Sequence, residues 1–228
     1  MHILKTNLWV IMLLAVASCQ SNQKKEKSEA LQETKKEIVK LSQEDLSKYE
    51  TAYFASGCFW CVEAIFESVK GVKEAVSGYA GGTEENPTYQ QVGAGLSSHA
   101  EAIEVYYDPE VISFTALVQV FFGSHDPTTL NRQGPDRGSQ YRSVAFYKNS
   151  EEKKIIEAYI AALVEQDVYD GDPITTEVTE FTKFWIAEEY HQDYEKKHPK
   201  NSYITNVSVP RLNRFKANFG DYLKEDTH

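Results

Sequence analysis

The chain has 228 residues, enough for one ordinary domain and a tail, and its 14 Tyr, 11 Phe and 3 Trp can furnish a real core. A net charge of −10 repels phosphate backbones and excludes nucleic acid as a partner. Three cysteines are too few for a disulfide-stapled exported domain, whose staples would come as several spaced pairs.

In chain order, Lys5 precedes an apolar run over 8–17 that ends in Ser18-Cys19. The run is short for a bilayer span and has the basic start and small-residue end of a secretory signal. Val16-Ala17-Ser18-Cys19 resembles the lipobox of bacterial lipoproteins. The resemblance implies a leader over 1–18, cleavage before Cys19 and lipid on that residue. Gln20, in place of an aspartate, favours the outer membrane in a cell with two membranes; an ordinary cleaved signal is the alternative. Residues 21–50 hold seven Lys against seven Asp or Glu and almost no aromatics, so 19–50 reads as a lipidated cysteine and a solvated tether. The folded domain is expected over 51–228.

Ala52-Tyr53-Phe54-Ala55 reads as a buried strand, and Gly57 permits a sharp turn after it. Val62, Ala64, Ile65, Phe66 and Val69 recur at helical spacing, so a helix is expected from Cys58. A strand over 72–79 leads to a loop marked by Gly81-Gly82 and Asn86-Pro87, and a second strand covers 102–107. Ser113 caps an amphipathic helix through Phe122; 125–140 is a long loop. Then follow a strand over 141–147, a capped helix over 150–166, a strand over 175–180 and a polar helix over 187–197 stopped by Pro199. Val209, Leu212, Phe215, Phe219 and Leu223 give an extra C-terminal helix. Mixed strands and helices in this order predict a two-layer α/β or α+β domain.

Gly57-Cys58-Phe59-Trp60-Cys61 carries the chemistry. A cysteine in a first helical turn feels the partial positive charge of free N–H groups, which favours thiolate. Cys61, three residues on, shares its face and can reach it as a disulfide. A lone pair so placed suits redox cycling better than stapling. On these residues alone, a thioredoxin-like disulfide oxidoreductase is an alternative, as is a surface lipoprotein that binds oxidised or Met-rich proteins without turnover.

Further motifs narrow the field. Gly57 to Glu63 resembles the signature of the peptide methionine sulfoxide reductase A family. Gly78-Tyr79-Ala80-Gly81-Gly82, Asn86-Pro87-Thr88-Tyr89, His99-Ala100-Glu101-Ala102, Tyr107-Asp108-Pro109 and His125-Asp126-Pro127-Thr128 match it in order. So do the stretch from Arg132 to Ser143, Thr175-Thr176-Glu177, and Ala187 to Gln192. The resemblance implies reduction of methionine-S-sulfoxide, free or in peptides, by a monomer that uses no cofactor and no metal. It implies a ferredoxin-like two-layer plait around a mixed sheet. Cys58 maps to the nucleophile, Glu101 to the acid that activates the sulfoxide oxygen, and Tyr89 and Tyr141 to hydroxyl donors on the same oxygen. Phe59 and Trp60 map to the apolar cup for the methyl group, and Asp136 to a polar lining position. Gly93 stands where some members carry a resolving cysteine, and no cysteine follows Cys61. Cys61 is therefore the internal candidate to resolve the sulfenic acid, with direct reduction by an external thiol as the alternative. A thioredoxin-like partner would reduce the disulfide. His191 and His198 do not make a zinc set with one Cys pair, and His99 and His125 are expected in loop hydrogen bonds.

Overall fold

The strand that precedes the thiol turn is apolar on both sides, and the fold covers both. In the computed structural model, which describes residues 46–225, it is β1 (Glu50–Ser56). Then come α1 (Phe59–Glu67), β2 (Val72–Ala80), α2 (Tyr89–Gly93), β3 (Ala100–Tyr107), α3 (Phe114–Gly123), β4 (Arg132–Gln133) and β5 (Asp136–Arg137). After these lie β6 (Ser143–Tyr147), α4 (Ser150–Glu165), β7 (Glu177–Glu180), β8 (Phe184–Ile186), α5 (Tyr194–Lys197) and α6 (Val209–Asn218). The expected leader, Cys19 and the tether up to residue 45 lie outside the described residues. The chain divides into two units, Met1–Lys48 and Tyr49–His228. No helix among the described residues is long and apolar enough to cross a membrane.

The sheet order is β7-β6-β1-β3-β2-β8. β3 lies antiparallel between β1 and β2, which makes β1-α1-β2 a split βαβ unit, and β6 pairs antiparallel with the other side of β1. These four strands have the expected ferredoxin-like arrangement. β7 extends it in parallel from β6 and β8 antiparallel from β2, so the sheet is mixed.

Alternation along β1 feeds two cores. Ala52 and Phe54 enter the cluster formed with the helices, while Tyr53 and Ala55 enter a second cluster on the opposite face. The Phe54 ring stacks 5.3 Å from Phe66 of α1 and 5.0 Å from Phe121 of α3. Each such ring contributes roughly 1.5–3 kcal/mol by leaving water. On the other face Tyr53 stacks on Phe181 at 3.7 Å.

Several boundaries differ from the sequence expectation. The predicted helix over 187–197 is instead a 3-10 turn, Glu189–His191, and the single-turn α5, separated by Asp193 in the left-handed region at φ 52°. The reason is tertiary. Gln192 accepts the Ser77 N–H at 2.9 Å and donates to the Ser77 carbonyl at 3.0 Å, and the Asp193 N–H donates to Glu63. Those bonds pin the segment to β2 and α1, against a helix preference that is only a weak prior. The edge strand β8 is three residues long, too short for a period to register. Tyr141 belongs to a 3-10 turn, Ser139–Tyr141, rather than to β6. The helix at 150 takes its cap from Asn149, whose side chain accepts the Glu151 and Glu152 N–H groups. The C-terminal helix exists, but it stops at Asn218; Leu223 instead pairs with Val69 as an isolated bridge.

Candidate active site

Gly57 sets the turn between β1 and α1. Its φ of +93° is left-handed, and a Cβ there would meet the Gln133 side chain at 2.6 Å, so only glycine fits. The turn delivers Cys58 to the N-cap of α1, where its carbonyl accepts the N–H groups of Cys61 and Val62 at 3.1 and 3.3 Å. Cys58 and Cys61 are both buried and both free.

The helix terminus does not make Cys58 the resting thiolate. Burial pushes its thiol well up, and the neighbouring Cys61 and Glu101 add to the push. Cys61 moves the other way, down to about 6, chiefly because the Cys58 thiol donates to it, with the Arg211 guanidinium assisting against burial. The two thiols thus share a hydrogen bond that pushes them in opposite directions. At Cys58, desolvation by burial outweighs the partial charge of one helix end.

Glu101 reaches the same point from β3, where it lies opposite Tyr79. It is 2 % exposed and accepts the N–H of Phe59, in the first turn of α1, at 3.1 Å. Burial lifts it to about 8, the Phe59 N–H opposes this, and the charges of Asp136 and Cys61 reinforce it. At neutral pH the carboxyl is largely protonated and able to donate.

Aromatic rings build the cup around this acid–thiol pair. Phe59 is buried; its centroid lies 6.1 Å from Trp60 and 6.4 Å from Tyr89. Tyr194 stacks on Trp60 at 3.7 Å, and the Trp60 indole N–H donates to His191 Nδ1 at 3.1 Å. His191 is 1 % exposed and held down by burial, so it is neutral with its proton on Nε2. That Nε2 has no hydrogen-bond partner among the described residues and lies 4.0 Å from a Glu188 oxygen. Glu188 in turn accepts the Tyr79 hydroxyl at 2.8 Å and the Tyr89 N–H at 2.9 Å, which braces the start of α2 against the sheet. Tyr89 is pushed up to about 12 by burial and by the charges of Glu101 and Cys58. Tyr141 is pushed up by burial, then by the same two groups. Both hydroxyls keep their protons and lie within electrostatic range of Glu101 and Cys58.

Asp136, on the small β4–β5 hairpin, accepts the Tyr203 hydroxyl at 2.5 Å, and that hydroxyl lies 3.8 Å from Cys61 Sγ. The tyrosine it holds is therefore one the sequence reading did not single out. His191, Tyr194, Tyr203 and Arg211 complete the surroundings. His191 lies within the matched motif from Ala187 to Gln192 and Tyr194 follows it closely; Tyr203 and Arg211 carried no local signal. His99 and His125 do make loop hydrogen bonds: His99 to the Gly82 N–H and Glu84 carbonyl, His125 to the Phe121 carbonyl and Ser143 hydroxyl.

One acidic group among the described residues has metal-like spacing, with carboxylate atoms of Glu63, Glu67 and Asp193 within 4.8 Å of one another. Lys196 already bridges Glu67 at 2.7 Å and Asp193 at 2.9 Å, and Glu63 is bound by the Ser77 hydroxyl and the Asp193 N–H. The cluster ties α1 to the segment after β8.

Residues 50–223 match the family model described as peptide methionine sulfoxide reductase. Peptide methionine sulfoxide reductase MsrA 1 of Rhodopirellula baltica is 48% identical over 175 residues, covering 77% of this chain and 90% of its own. The MsrA of Haloquadratum walsbyi is 47% identical over 174 residues, covering 76% of this chain and 98% of its own. Among solved structures, reduced Mxr1 from Saccharomyces cerevisiae superposes with a TM-score of 0.64 at 34% identity, covering 70% of this chain and 91% of its own. Methionine sulfoxide reductase A of Corynebacterium diphtheriae gives 0.61 at 34% identity, covering 68% and 77%. Fold, thiol pair and match over nearly all described residues agree: the chain belongs to the peptide methionine sulfoxide reductase family and is an MsrA-type enzyme that reduces methionine sulfoxide.

Proposed function

We propose that the chain reduces the S epimer of methionine sulfoxide, free or in peptides, with Cys58 as nucleophile, Glu101 as acid and Cys61 as resolving thiol. The observation that carries this is a protonated, buried carboxyl and a buried cysteine meeting at the first turn of one helix, inside an aromatic cup. The sulfoxide methyl group packs on Phe59 and Trp60, since sulfur and methyl groups both pack well on rings. Glu101 gives its proton to the sulfoxide oxygen, and Tyr89 and Tyr141 donate to the same atom.

Cys58 sulfur then forms a bond to the sulfoxide sulfur, and its proton passes to Cys61. The S–S bond of that adduct breaks as the oxygen moves to Cys58, so methionine leaves and Cys58 holds a sulfenic acid. Cys61 attacks Cys58 next; the Cys58 S–O bond breaks and hydroxide leaves with the Cys61 proton as water. The net change is one sulfoxide and two thiols to one thioether, one disulfide and water. A dithiol protein of thioredoxin type restores the pair by exchange, and Glu101 regains its proton from solvent.

The N-terminal motif supports an exported lipoprotein, anchored through Cys19, whose tether over 19–50 lets the domain over 51–228 reach oxidised exported proteins. Incorporation of a fatty-acid analogue in a bacterial host, lost in Cys19→Ala, is the expected result; equal labelling of both forms removes the anchor.

The enzymatic roles are tested with the full chain, a peptide carrying racemic methionine sulfoxide, and dithiothreitol. Loss of the S epimer alone, abolished in Cys58→Ser, is expected. Loss of both epimers, or turnover that survives the substitution, contradicts the assignment.

A further inference from the structure

The hydrogen bonds of Tyr203 run in one direction. Tyr203 stands at the start of a wide π-turn, Ile204–Ser208, that leads into α6, and Asn201 Oδ1 accepts its backbone N–H at 2.8 Å. Its ring packs edge-on against Trp60 with centroids 5.9 Å apart, so the side chain borders the cup. The hydroxyl donates to Asp136 Oδ2 at 2.5 Å, and the same oxygen lies 3.8 Å from Cys61 Sγ. A phenol has one proton to give. With that proton spent on Asp136, the oxygen can only accept from a Cys61 thiol. Cys61, Tyr203 and Asp136 thus form a line along which a proton can leave the sulfur.

We propose that Tyr203 is a catalytic residue of the second half of the reaction, taking the Cys61 proton as the disulfide forms, with Asp136 as its positioning residue. This rests on the reading that Cys61 resolves. The first half leaves Cys61 with the proton of Cys58, and a thiol is a poor nucleophile until that proton goes. As the Cys61 sulfur bonds to the Cys58 sulfur, its S–H bond breaks and the proton moves to the Tyr203 oxygen. The Tyr203 O–H bond breaks in step, and that proton goes to Asp136. Hydroxide leaves Cys58 with the S–O electron pair and takes one proton from Asp136 as water. Cys61 is oxidised and the Cys58 sulfenic acid reduced to the disulfide, while Tyr203 and Asp136 end as they began.

Asp136 suits this part. Burial raises its carboxyl above the ordinary value, against the Tyr203 hydrogen bond and the Arg211 charge, which makes it a stronger proton acceptor. The charged and titratable groups within electrostatic range of Cys61 are Cys58, Tyr203, Arg211 and Glu101. Of these, Tyr203 is the hydrogen-bond partner of Cys61 that also bonds a carboxylate among the described residues.

The test separates the two halves of the cycle. Reduced full-length chain is mixed with one equivalent of methionine sulfoxide and no reductant at pH 6.5. Released methionine and the Cys58–Cys61 disulfide, trapped by acid quench and alkylation, are followed by mass spectrometry. Tyr203→Phe keeps the ring against Trp60 and removes the relay oxygen. Relative to its own methionine release, it should form the disulfide about 10²-fold more slowly than wild type, so that sulfenic acid accumulates. A jump of that intermediate to pH 9, above the ordinary thiol value of about 8.5, lets solvent take the proton and should recover about ten-fold or more. A merely structural lesion would not be mended by alkali. Asp136→Asn still accepts the Tyr203 hydroxyl but takes no proton, and should slow the same step by about ten-fold or more. The double variant should be no slower than Tyr203→Phe, because both residues lie on one path. If Tyr203→Phe releases no methionine, Asp136→Asn with the same pH jump carries the test. Disulfide formation at the wild-type rate in these variants, or a slowing that alkali leaves untouched, overturns the relay and leaves Cys61 as resolver. A wild-type chain that releases methionine without forming the disulfide overturns the Cys61 reading itself.

Discussion

Glu101 and Glu63 are two buried glutamates, both 2 % exposed, both lifted to about 8 by burial. By titration alone they are indistinguishable, yet their surroundings differ. Glu63, on α1, spends both oxygens on structure: one takes the Ser77 hydroxyl, the other the Asp193 N–H. Glu101 takes a single hydrogen bond among the described residues, from the Phe59 N–H, and its neighbours are Cys58, Tyr89 and Tyr141. A perturbed carboxyl is a candidate acid only when it has capacity left to give and a reacting atom to give it to. Glu101 meets that condition and Glu63 does not.

The widest split between them is expected in Glu101→Gln, which keeps the shape and the acceptor for Phe59 but has no acid proton. Sulfoxide reduction in a single turnover should fall by roughly 10²–10⁴, the usual contribution of a positioned acid. Glu101→Gln with more than about a tenth of wild-type single-turnover rate would remove its role as acid. A second consequence follows from the sign of the shift. Because the protonated carboxyl is the active form and its value is raised to about 8, the reduction step should hold below that pH and decline as pH rises through it, about ten-fold per unit beyond. The decline should be missing from the residual activity of Glu101→Gln; its persistence there would assign the titration to another group.

Tyr89 and Tyr141 share the remaining task at the oxygen. Each hydroxyl offers one hydrogen bond, so Tyr89→Phe and Tyr141→Phe should each slow the reduction step by about ten-fold, the equivalent of one net bond of about 1 kcal/mol or slightly more. The double variant should be worse than either. A double variant as fast as the singles would mean that only one tyrosine contacts the substrate.

Much of this geometry could be read along the chain because it is local. β1, Gly57 and the start of α1 form one unbroken stretch, and period and turn chemistry give it directly. Glu101, Tyr89 and Tyr141 were legible only through motif resemblance, since a glutamate amid alanines on a strand looks by itself like an exposed strand face. What escaped is what arrives from far along the sequence. Tyr203 lies 142 residues from the Cys61 it approaches, and Arg211 lies 155 residues from the Ser56 it anchors. Neither has a local pattern, because their placement depends on α6 packing back on α1. The segment over 187–197 departs from its helical pattern for a related reason: Gln192 and the Asp193 N–H bond to β2 and α1 rather than to solvent, which a helical pattern cannot reveal.

Glu63 supplies the closing contrast, because its effect on turnover should be the smallest and its effect on folding the larger. In Glu63→Gln the amide oxygen can accept the Asp193 N–H while its NH₂ group donates to the Ser77 hydroxyl, which accepts as readily as it donates. Glu63→Ala instead leaves both buried groups without a partner, at a cost of roughly 1–3 kcal/mol in unfolding free energy, while in either variant the reduction step should change by less than about two-fold. The pH dependence sharpens this. Glu63 binds its proton more tightly folded than unfolded, so its contribution is complete below the ordinary carboxylate value near 4.5 and is lost as pH rises through about 8. Glu67, raised to about 7 by burial, and Glu101 act with the same sign. The wild-type chain should therefore lose stability between roughly pH 5 and 8, and Glu63→Gln should lose less over that window because one of the raised carboxyls is gone. Chemical denaturation at pH 5.5 and 8.5 reads the difference directly. Parallel losses in both proteins would mean that the Glu63 proton is not retained on folding, and the likeness between the two glutamates would then be confined to burial.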